Sequence, residues 1–211
     1  MAVSATSVYL SDSALGRVFL FDREGRFQRT LVSELAQPTG LAFDAAQNEL
    51  YVAETRAHRV AVFDSTGRLL RHVGERGRDV RQFNFPTYLY VDHARGLYVV
   101  DSLNHRVQRF DADGRFVVAF GRHGQASGDF ASPKGIALDG DGHIYVVDAL
   151  FDLVQVFDGE GQLLTAFGER GTAAGQMWLP AGIYIDASNQ VFVADSYNQR
   201  IQVYQYLGRG R

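Results

Sequence analysis

The chain has 211 residues, of which 46% are hydrophobic and 21% are charged, a composition typical of a soluble globular protein. Its formal net charge of −3 argues against a nucleic-acid-binding surface, because such surfaces usually carry a strong basic excess. The absence of cysteine excludes disulfides, thiolate metal sites and cysteine nucleophiles. No run of apolar residues is long enough to predict a membrane span. Residues 1–10 lack the features of a signal peptide, and the sequence does not indicate the cellular compartment.

An internal repeat runs along the chain. Pro86, Pro133 and Pro180 are each 47 residues apart. Two further sets of markers also step by 47 residues, except that a shorter first copy places its member 42 residues before the second. One set is acidic (Asp12, Glu54, Asp101, Asp148, Asp195) and one is aromatic (Phe21, Phe63, Phe110, Phe157, Tyr204). Three independent markers in one register identify about five tandem copies.

Each copy reads as four short strands, here named a to d in chain order. In the copy that begins at Pro133, strand a is predicted at 135–139, strand b at 144–148, strand c at 154–157 and strand d at 163–168. No helical period of comparable length occurs, which excludes helical solenoids. Four strands in roughly 47 residues predict a propeller blade.

Turns of the form Asp-x-x-Gly separate the strands. They recur at 22–25, 64–67, 111–114 and 158–161. The aspartate side chain can cap the turn, and the glycine can adopt the positive φ that the hairpin requires. We interpret these turns as structural rather than as calcium sites.

An acidic residue ends strand b, and in most copies an arginine opens strand c five residues later. Glu54 with Arg59 is one example. We expect the two side chains to form charge-assisted hydrogen bonds across the hairpin. Because the pair recurs, it is predicted to build the blade rather than to catalyse a reaction.

Three segments together resemble the NHL-repeat family. They are residues 133–139 (Pro-Lys-Gly-Ile-Ala-Leu-Asp), 144–148 (Ile-Tyr-Val-Val-Asp) and 104–111 (Asn-His-Arg-Val-Gln-Arg-Phe-Asp), the last followed by Phe-Gly. The resemblance covers nearly the whole chain. It implies a propeller, generally of six blades, whose relatives include RNA-binding and protein-binding domains, extracellular sensors, and amidating or lactone-cleaving enzymes.

The predicted fold is therefore all-β, a β-propeller of about five four-stranded antiparallel blades with an incomplete last blade. It forms one domain over residues 1–211, with blades at approximately 1–36, 37–84, 85–131, 132–178 and 179–211.

Both ends of the chain stop short of a full blade. Residues 1–4 align with part of a strand a, and residues 207–211 are too short and polar for a strand d. Three arrangements stay open. The chain is a truncated piece of a longer propeller, which would leave an exported origin open, or a closed ring of five blades, or an open arrangement that self-associates through exposed apolar blade faces.

Residues that break the repeat are the candidates for function, because repeated residues build the blade. Tyr88, Tyr90 and Tyr184 occupy small-residue positions of strand a, the innermost strand of a propeller. They either line a pocket with hydroxyl groups or fill a channel that would otherwise be poorly packed.

The fourth copy departs from the repeat after strand b. Leu153 replaces the arginine, which leaves Asp148 without its expected partner, and Leu150 with Phe151 makes the loop apolar. The two apolar residues form a contact surface or fold back onto the blade. An unpaired Asp148 could act as a general base or metal ligand.

The connections between copies contribute two further candidates. Trp178 is the sole tryptophan, and we expect it near Leu150 and Phe151 as a binding anchor or a packing residue. A second set, formed by Arg76, Arg122, His123 and Arg170, is either an anion-binding ring or a solvated charged rim.

The sequence favours a binding or ligand-sensing scaffold without catalysis of its own. No catalytic or metal residues and no cofactor are predicted, since the six histidines do not fall into one register. The expected partner is a protein or small molecule at a rim. The alternative is a lactonase-like or lyase-like enzyme with an axial site, where calcium or zinc would be expected, and the third is an RNA-binding propeller.

Overall fold

The computed structural model describes residues 1–207, and its fold is a β-propeller, which confirms the predicted fold class. Within these residues the strands form five antiparallel blades, and two single 3-10 turns (Thr55–Ala57 and Ser102–Asn104) are the helical elements. Residues 208–211, which belong to the segment expected to be too short for a fourth strand, lie outside the described residues.

The strands of each blade are hydrogen-bonded in chain order. Blade 1 contains β1 (Ala2–Val3), β2 (Ser7–Asp12), β3 (Arg17–Asp22) and β4 (Phe27–Val32). Blade 2 contains β5 (Pro38–Asp44), β6 (Glu49–Glu54), β7 (Arg59–Asp64) and β8 (Leu69–Val73). A short parallel pair follows, β9 (Glu75–Arg76) and β10 (Gln82–Phe83).

The remaining three blades repeat this order. Blade 3 contains β11 (Pro86–Val91), β12 (Leu97–Asp101), β13 (Arg106–Phe110) and β14 (Phe116–Phe120). Blade 4 contains β15 (Pro133–Leu138), β16 (Ile144–Asp148), β17 (Leu153–Phe157) and β18 (Leu163–Phe167). Blade 5 has three described strands, β19 (Pro180–Ile185), β20 (Gln190–Asp195) and β21 (Arg200–Gln205).

The chain divides into two compact units. Unit 1 comprises residues 1–104 and 108–117, and unit 2 comprises residues 105–107 and 118–211. Their division falls within blade 3 in the sequence. Each unit is described by itself below.

The Asp-x-x-Gly turns have the predicted structural role. In the turn of blade 4, the Asp158 carboxylate accepts the backbone N–H groups of Glu160 and Gln162 at 3.1 and 2.8 Å. Gly161 adopts a φ of 79° and donates its N–H to the carbonyl of Asp158. The Asp158 carboxylate thus caps the turn through one oxygen, as expected for this residue type.

Apolar side chains of adjacent blades interlock to form the core. In unit 2, Tyr145, Val147 and Val156 of blade 4 pack against Val191 and Val193 of blade 5. Met177, from the connection between these blades, is completely buried in the same cluster. The buried Met177 thus anchors the connection next to Trp178, whose side chain is half-buried.

Neighbouring inner strands approach very closely. A Cβ atom added to Gly135 would lie 2.7 Å from the carbonyl oxygen of Ala181 and 2.8 Å from the nitrogen of Ile183. At Gly182, the equivalent position of blade 5, the nearest atom would be the Ala194 Cβ at 3.5 Å. Glycine is therefore required sterically at the first position and not at the second.

Candidate functional site

A buried carboxylate organises the loops at one edge of blade 5. Asp195, at the end of β20, accepts the backbone N–H of Trp178 at 2.8 Å and the Arg200 Nε–H at 2.8 Å. The Asn198 side chain also donates to it. Burial acts to raise the pKa of Asp195, but these hydrogen bonds outweigh it and hold the pKa below its ordinary value.

The ion pair of this carboxylate confirms the predicted acid–arginine pairing of the repeat. In blade 2 the Arg59 Nε–H lies 2.7 Å from the Glu54 carboxylate. In both of these blades the two partners face each other in the register of strands b and c. The pair therefore builds the hairpin, and in blade 5 it also holds the connection that carries Trp178.

The half-buried Trp178 belongs to an aromatic cluster whose other members are exposed. Its indole stacks on the ring of Tyr197 with centroids 4.0 Å apart, and the Arg170 guanidinium lies over the indole at 5.0 Å. Tyr197 donates its backbone N–H to the carbonyl of Trp178 at 3.1 Å, and its side chain is 58% exposed. Arg170, Trp178 and Tyr197 are named the aromatic rim.

Tyr197 is not a candidate from the sequence, because the candidates are residues that break the repeat. Its segment, 195–200, matches the equivalent loop of blade 3, 101–106. A signal was nevertheless present, since Leu103 and Leu150 occupy the same position 94 and 47 residues earlier. All three side chains are more than half exposed. An apolar residue that recurs at an exposed loop tip points to contact rather than to packing.

Leu150 and Phe151 have different environments. Leu150 is 62% exposed at its loop tip. Phe151 is half-buried and lines a shallow cleft of about 320 Å³ together with Leu153 and Leu163. The contact-surface interpretation thus fits Leu150, whereas Phe151 combines packing with a place at the edge of a cleft.

The expectation that Asp148 lacks a partner is wrong. Its fully buried carboxylate accepts backbone N–H groups from four residues at 2.7 to 3.3 Å: Ala131, Ser132, Leu150 and Phe151. Backbone amides therefore replace the arginine that Leu153 displaced. A carboxylate saturated by donors and closed to solvent is a structural anchor, so Asp148 does not suit a general base or a metal ligand.

The segments that carry Trp178 and Phe151 are joined through their neighbours. Leu179 donates its backbone N–H to the Asp152 carboxylate at 2.7 Å. The Trp178 ring itself is engaged by Tyr197 and Arg170. The single apolar surface of Leu150, Phe151 and Trp178 stays a prediction, and the ring contacts add Tyr197 as the immediate neighbour of the indole.

The four basic residues of the connections do not share one environment. Arg122 is paired with Asp129 at 2.9 Å. The His123 ring lies 4.5 Å from the His105 ring, and Arg170 covers the indole. Arg76, in unit 1, is exposed in β9. These separate partners favour a solvated rim over a common anion site.

The three tyrosines of strand a are divided between the two units, two in unit 1 and one in unit 2. In unit 1, Tyr88 is half-buried, which raises the pKa of its phenol, and the Tyr90 ring packs edge-on against Tyr98 at 6.2 Å. In unit 2, Tyr184 is 63% exposed and packs on Phe192 at 6.0 Å. A pocket shared by all three stays a prediction.

Tyr184 belongs to an exposed apolar face of blade 5. Ile201 and Val203 of β21 share this face and are also exposed. The equivalent residues of blade 4 are buried against blade 5. Self-association through such faces stays a prediction.

The described part of the chain shows neither a metal-binding cluster nor a membrane-spanning helix. Residues 1–207 contain no group of three or more histidine, aspartate or glutamate side chains arranged to hold a metal ion. Over the same residues, no helix has the length and apolar character needed to cross a membrane.

Comparison with known families settles the nature of the repeat. The NHL repeat model matches residues 35–63 and 177–204, and a model described as a 6-bladed beta-propeller matches residues 87–154. The chain is a β-propeller that contains NHL repeats. The second NHL match, at 177–204, contains Trp178 and Tyr197 of the aromatic rim.

Among curated proteins, this NHL-repeat propeller is similar to the protein brain tumor of Drosophila melanogaster, with 35% identity over 63 residues. The match covers 30% of the chain and 6% of that relative. The similarity therefore concerns a small part of a much longer protein.

Solved structures share the fold at low identity. A virginiamycin B lyase from Staphylococcus aureus, crystallised with quinupristin, is 16% identical with a TM-score of 0.68, covering 96% of this chain and 67% of that chain. A gluconolactonase from Xanthomonas campestris is 20% identical with a TM-score of 0.68, covering 94% and 71%. A structural genomics protein from Bacteroides thetaiotaomicron is 18% identical with a TM-score of 0.76, covering 97% and 58%.

Proposed function

We propose that this NHL-repeat propeller is an interaction module that binds a protein segment at its aromatic rim. The observation that carries the proposal is the stack of the half-buried Trp178 on the exposed Tyr197, with the Arg170 guanidinium over the indole. Tryptophan, tyrosine and arginine are the residues that most often dominate the energy of protein interfaces.

The rim is organised before any partner arrives. The Asp195 carboxylate holds the backbone of Trp178, and Met177 beside it is buried in the core. Rings that are already fixed lose little conformational entropy on binding, so more of the contact energy appears as affinity. A rigid aromatic pair on a rigid scaffold is thus well suited to recognition.

The rim also indicates the chemistry of its partner. Tyr197 offers an exposed ring, Leu150 adds an exposed aliphatic side chain on the preceding blade, and Arg170 supplies a positive charge. A short segment with an apolar or aromatic anchor and a nearby acidic side chain would satisfy all three groups.

The enzymatic alternative has weaker support. A lyase and a lactonase share the fold, but at identities that carry no residue correspondence. Asp148, the residue offered for that chemistry, is saturated by backbone amides. RNA binding stays the third alternative, and the net charge of −3 does not favour it.

The proposal is tested by selecting short linear peptides from a displayed random library on the immobilised chain. Synthetic copies of enriched peptides are then titrated against the wild type, Trp178→Ala and Tyr197→Ala. We expect each substitution to weaken binding by about thirtyfold, the effect of losing a hot-spot residue. Val117→Ala, which truncates an exposed residue of strand β14, is the matched control and should bind as the wild type does.

Two outcomes would contradict the proposal. Failure to enrich any peptide would argue against a linear protein segment as the partner. Enriched peptides that bind Trp178→Ala and Tyr197→Ala as tightly as the wild type would place the surface elsewhere.

The RNA-binding alternative has its own outcome. Salt-dependent binding of single-stranded RNA that is lost in Trp178→Ala would assign the rim to RNA.

A further inference from the structure

A cleft of about 460 Å³ opens between the outer strands of blades 4 and 5, within unit 2. Its apolar and aromatic walls are Tyr145, Val156, Phe167, Val191, Tyr204 and Tyr206. The volume lies within the range of small-molecule sites, roughly 300 to 1,000 Å³. We propose that this feature, the blade 4–5 cleft, binds a small planar aromatic compound that carries a hydrogen-bonding group.

The aromatic walls support a flat ligand. The Phe167 ring lies 4.7 Å from the Tyr204 ring and 6.5 Å from the Tyr145 ring, so two rings of blade 4 and one of blade 5 form one continuous surface. At the mouth of the cleft, Tyr206 meets the His143 ring edge-on at 5.6 Å. Aromatic surfaces of this kind prefer stacked or edge-to-face contact with another ring.

A buried aspartate fixes the polar end of the cleft. The Asp139 carboxylate accepts the Tyr145 hydroxyl at 3.0 Å and lies 2.8 Å from His143 Nδ1. Because an ionised carboxylate only accepts hydrogen bonds, Nδ1 carries the hydrogen, which leaves Nε2 for a further partner. Burial and the charge of Asp139 both raise the pKa of Tyr145, so its hydroxyl stays protonated and bound to the aspartate.

Tyr204 contributes its ring to the wall of the cleft. This position is phenylalanine in the four other repeats, so the hydroxyl is an addition specific to blade 5. Its oxygen is buried and closed to solvent, so a ligand in the cleft would contact the ring and not the hydroxyl.

The equivalent cleft of blades 2 and 3, within unit 1, shows what blade 4 lacks. Glu49 and Arg71 occupy the register positions of His143 and Thr165. Arg71 donates to both Glu49 oxygens at 2.9 and 2.7 Å and to the Tyr51 hydroxyl at 2.9 Å. A charged pair thus lies over the tyrosine there, whereas in blade 4 the corresponding positions hold His143 and the short side chain of Thr165.

The test uses 2-naphthol as the aromatic probe and cyclohexanol as the non-aromatic one, each titrated calorimetrically into the full chain. We expect saturable one-site binding of 2-naphthol and binding of cyclohexanol at least about tenfold weaker. Thr165→Arg should weaken 2-naphthol binding by about tenfold or more, because the new guanidinium would lie over Tyr145 as Arg71 lies over Tyr51, at 5.7 Å. His143→Phe removes Nε2, the hydrogen-bonding atom at the polar end of the cleft, and should weaken 2-naphthol binding by about threefold to tenfold.

Val117→Ala, which truncates an exposed residue of β14 outside the cleft, is the control and should leave 2-naphthol binding unchanged. The proposal is overturned if 2-naphthol does not saturate, if cyclohexanol binds equally well, or if Val117→Ala weakens binding as much as Thr165→Arg does. Should Thr165→Arg fail to fold, as shown by circular dichroism, His143→Phe decides the matter, and wild-type affinity in that variant would contradict the proposal.

Discussion

The indole of Trp178 stacks on the phenol ring of Tyr197, with ring centroids 4.0 Å apart and ring planes tilted by 33°. A backbone hydrogen bond from Tyr197 to the carbonyl of Trp178 joins the same two residues. One residue comes from the connection between blades 4 and 5, and the other from the loop between two strands of blade 5. The aromatic rim is therefore held by the architecture of the repeat itself.

The first prediction concerns the carboxylate that holds the rim. Asp195→Ala removes the acceptor for the Trp178 N–H and for Arg200, and we expect the free energy of unfolding to fall by about 3 kcal/mol because buried donors lose their partner. Urea denaturation measures the change. Asp158→Asn is the control, since that turn uses only Oδ1, which asparagine retains, and its stability should match the wild type.

The lowered pKa of Asp195 gives this prediction a pH dependence. The folded state favours the ionised carboxylate, so its contribution is complete above the unfolded pKa of about 3.9 and is lost as the pH falls through the lower folded pKa. The stability difference between wild type and Asp195→Ala should narrow below about pH 4. A difference that stays constant down to pH 2 would contradict the assigned role.

The second prediction separates a structural aspartate from a catalytic one. Asp148→Asn replaces one acceptor oxygen by a donor that faces backbone N–H groups, and the free energy of unfolding should fall by about 3 kcal/mol. Asp158→Asn, in a turn that uses only Oδ1, should change it by less than about 0.5 kcal/mol. Equal stability of the two variants would show that the amide contacts of Asp148 contribute little.

The third prediction concerns the close approach of inner strands. Gly135→Ala places a methyl group 2.7 Å from the carbonyl oxygen of Ala181, and overpacking of this kind lowers the free energy of unfolding by about 1 to 3 kcal/mol. Gly182→Ala meets no atom closer than 3.5 Å and should be tolerated. Thermal unfolding of the two variants compares them directly. A larger loss in Gly182→Ala would contradict the described packing of blades 4 and 5.

The fold was predictable because each repeat carries several local signals that agree. Asp158 and Gly161 mark a turn, and the apolar run at 144–148 marks a strand, so each copy confirms the others. Side-chain register then predicted the Glu54–Arg59 pair. All of these features depend on neighbours that are close in sequence.

The candidate site was less predictable because its contacts join different loops. The sequence indicated that Asp148 had lost an arginine, but it could not show that backbone amides from 131 and 132 would replace it. The sequence does not single out Tyr197 as a site residue because its segment matches the repeat. A residue can nevertheless conform to a repeat and be exposed. The stack with Trp178 depends on how the loop and the connection meet in space.

The most direct test of the interaction module uses its sole tryptophan. Because Trp178 is the only indole in the chain, tryptophan emission reports on the aromatic rim alone. Titration with a selected peptide that lacks tryptophan should change the emission saturably. The Kd from this titration should equal the Kd from the anisotropy of the labelled peptide. Tyr197→Ala should raise the Kd measured by either method about thirtyfold. Binding detected by anisotropy that leaves Trp178 emission unchanged, and that Tyr197→Ala does not weaken, would contradict the assignment of the binding surface to the aromatic rim.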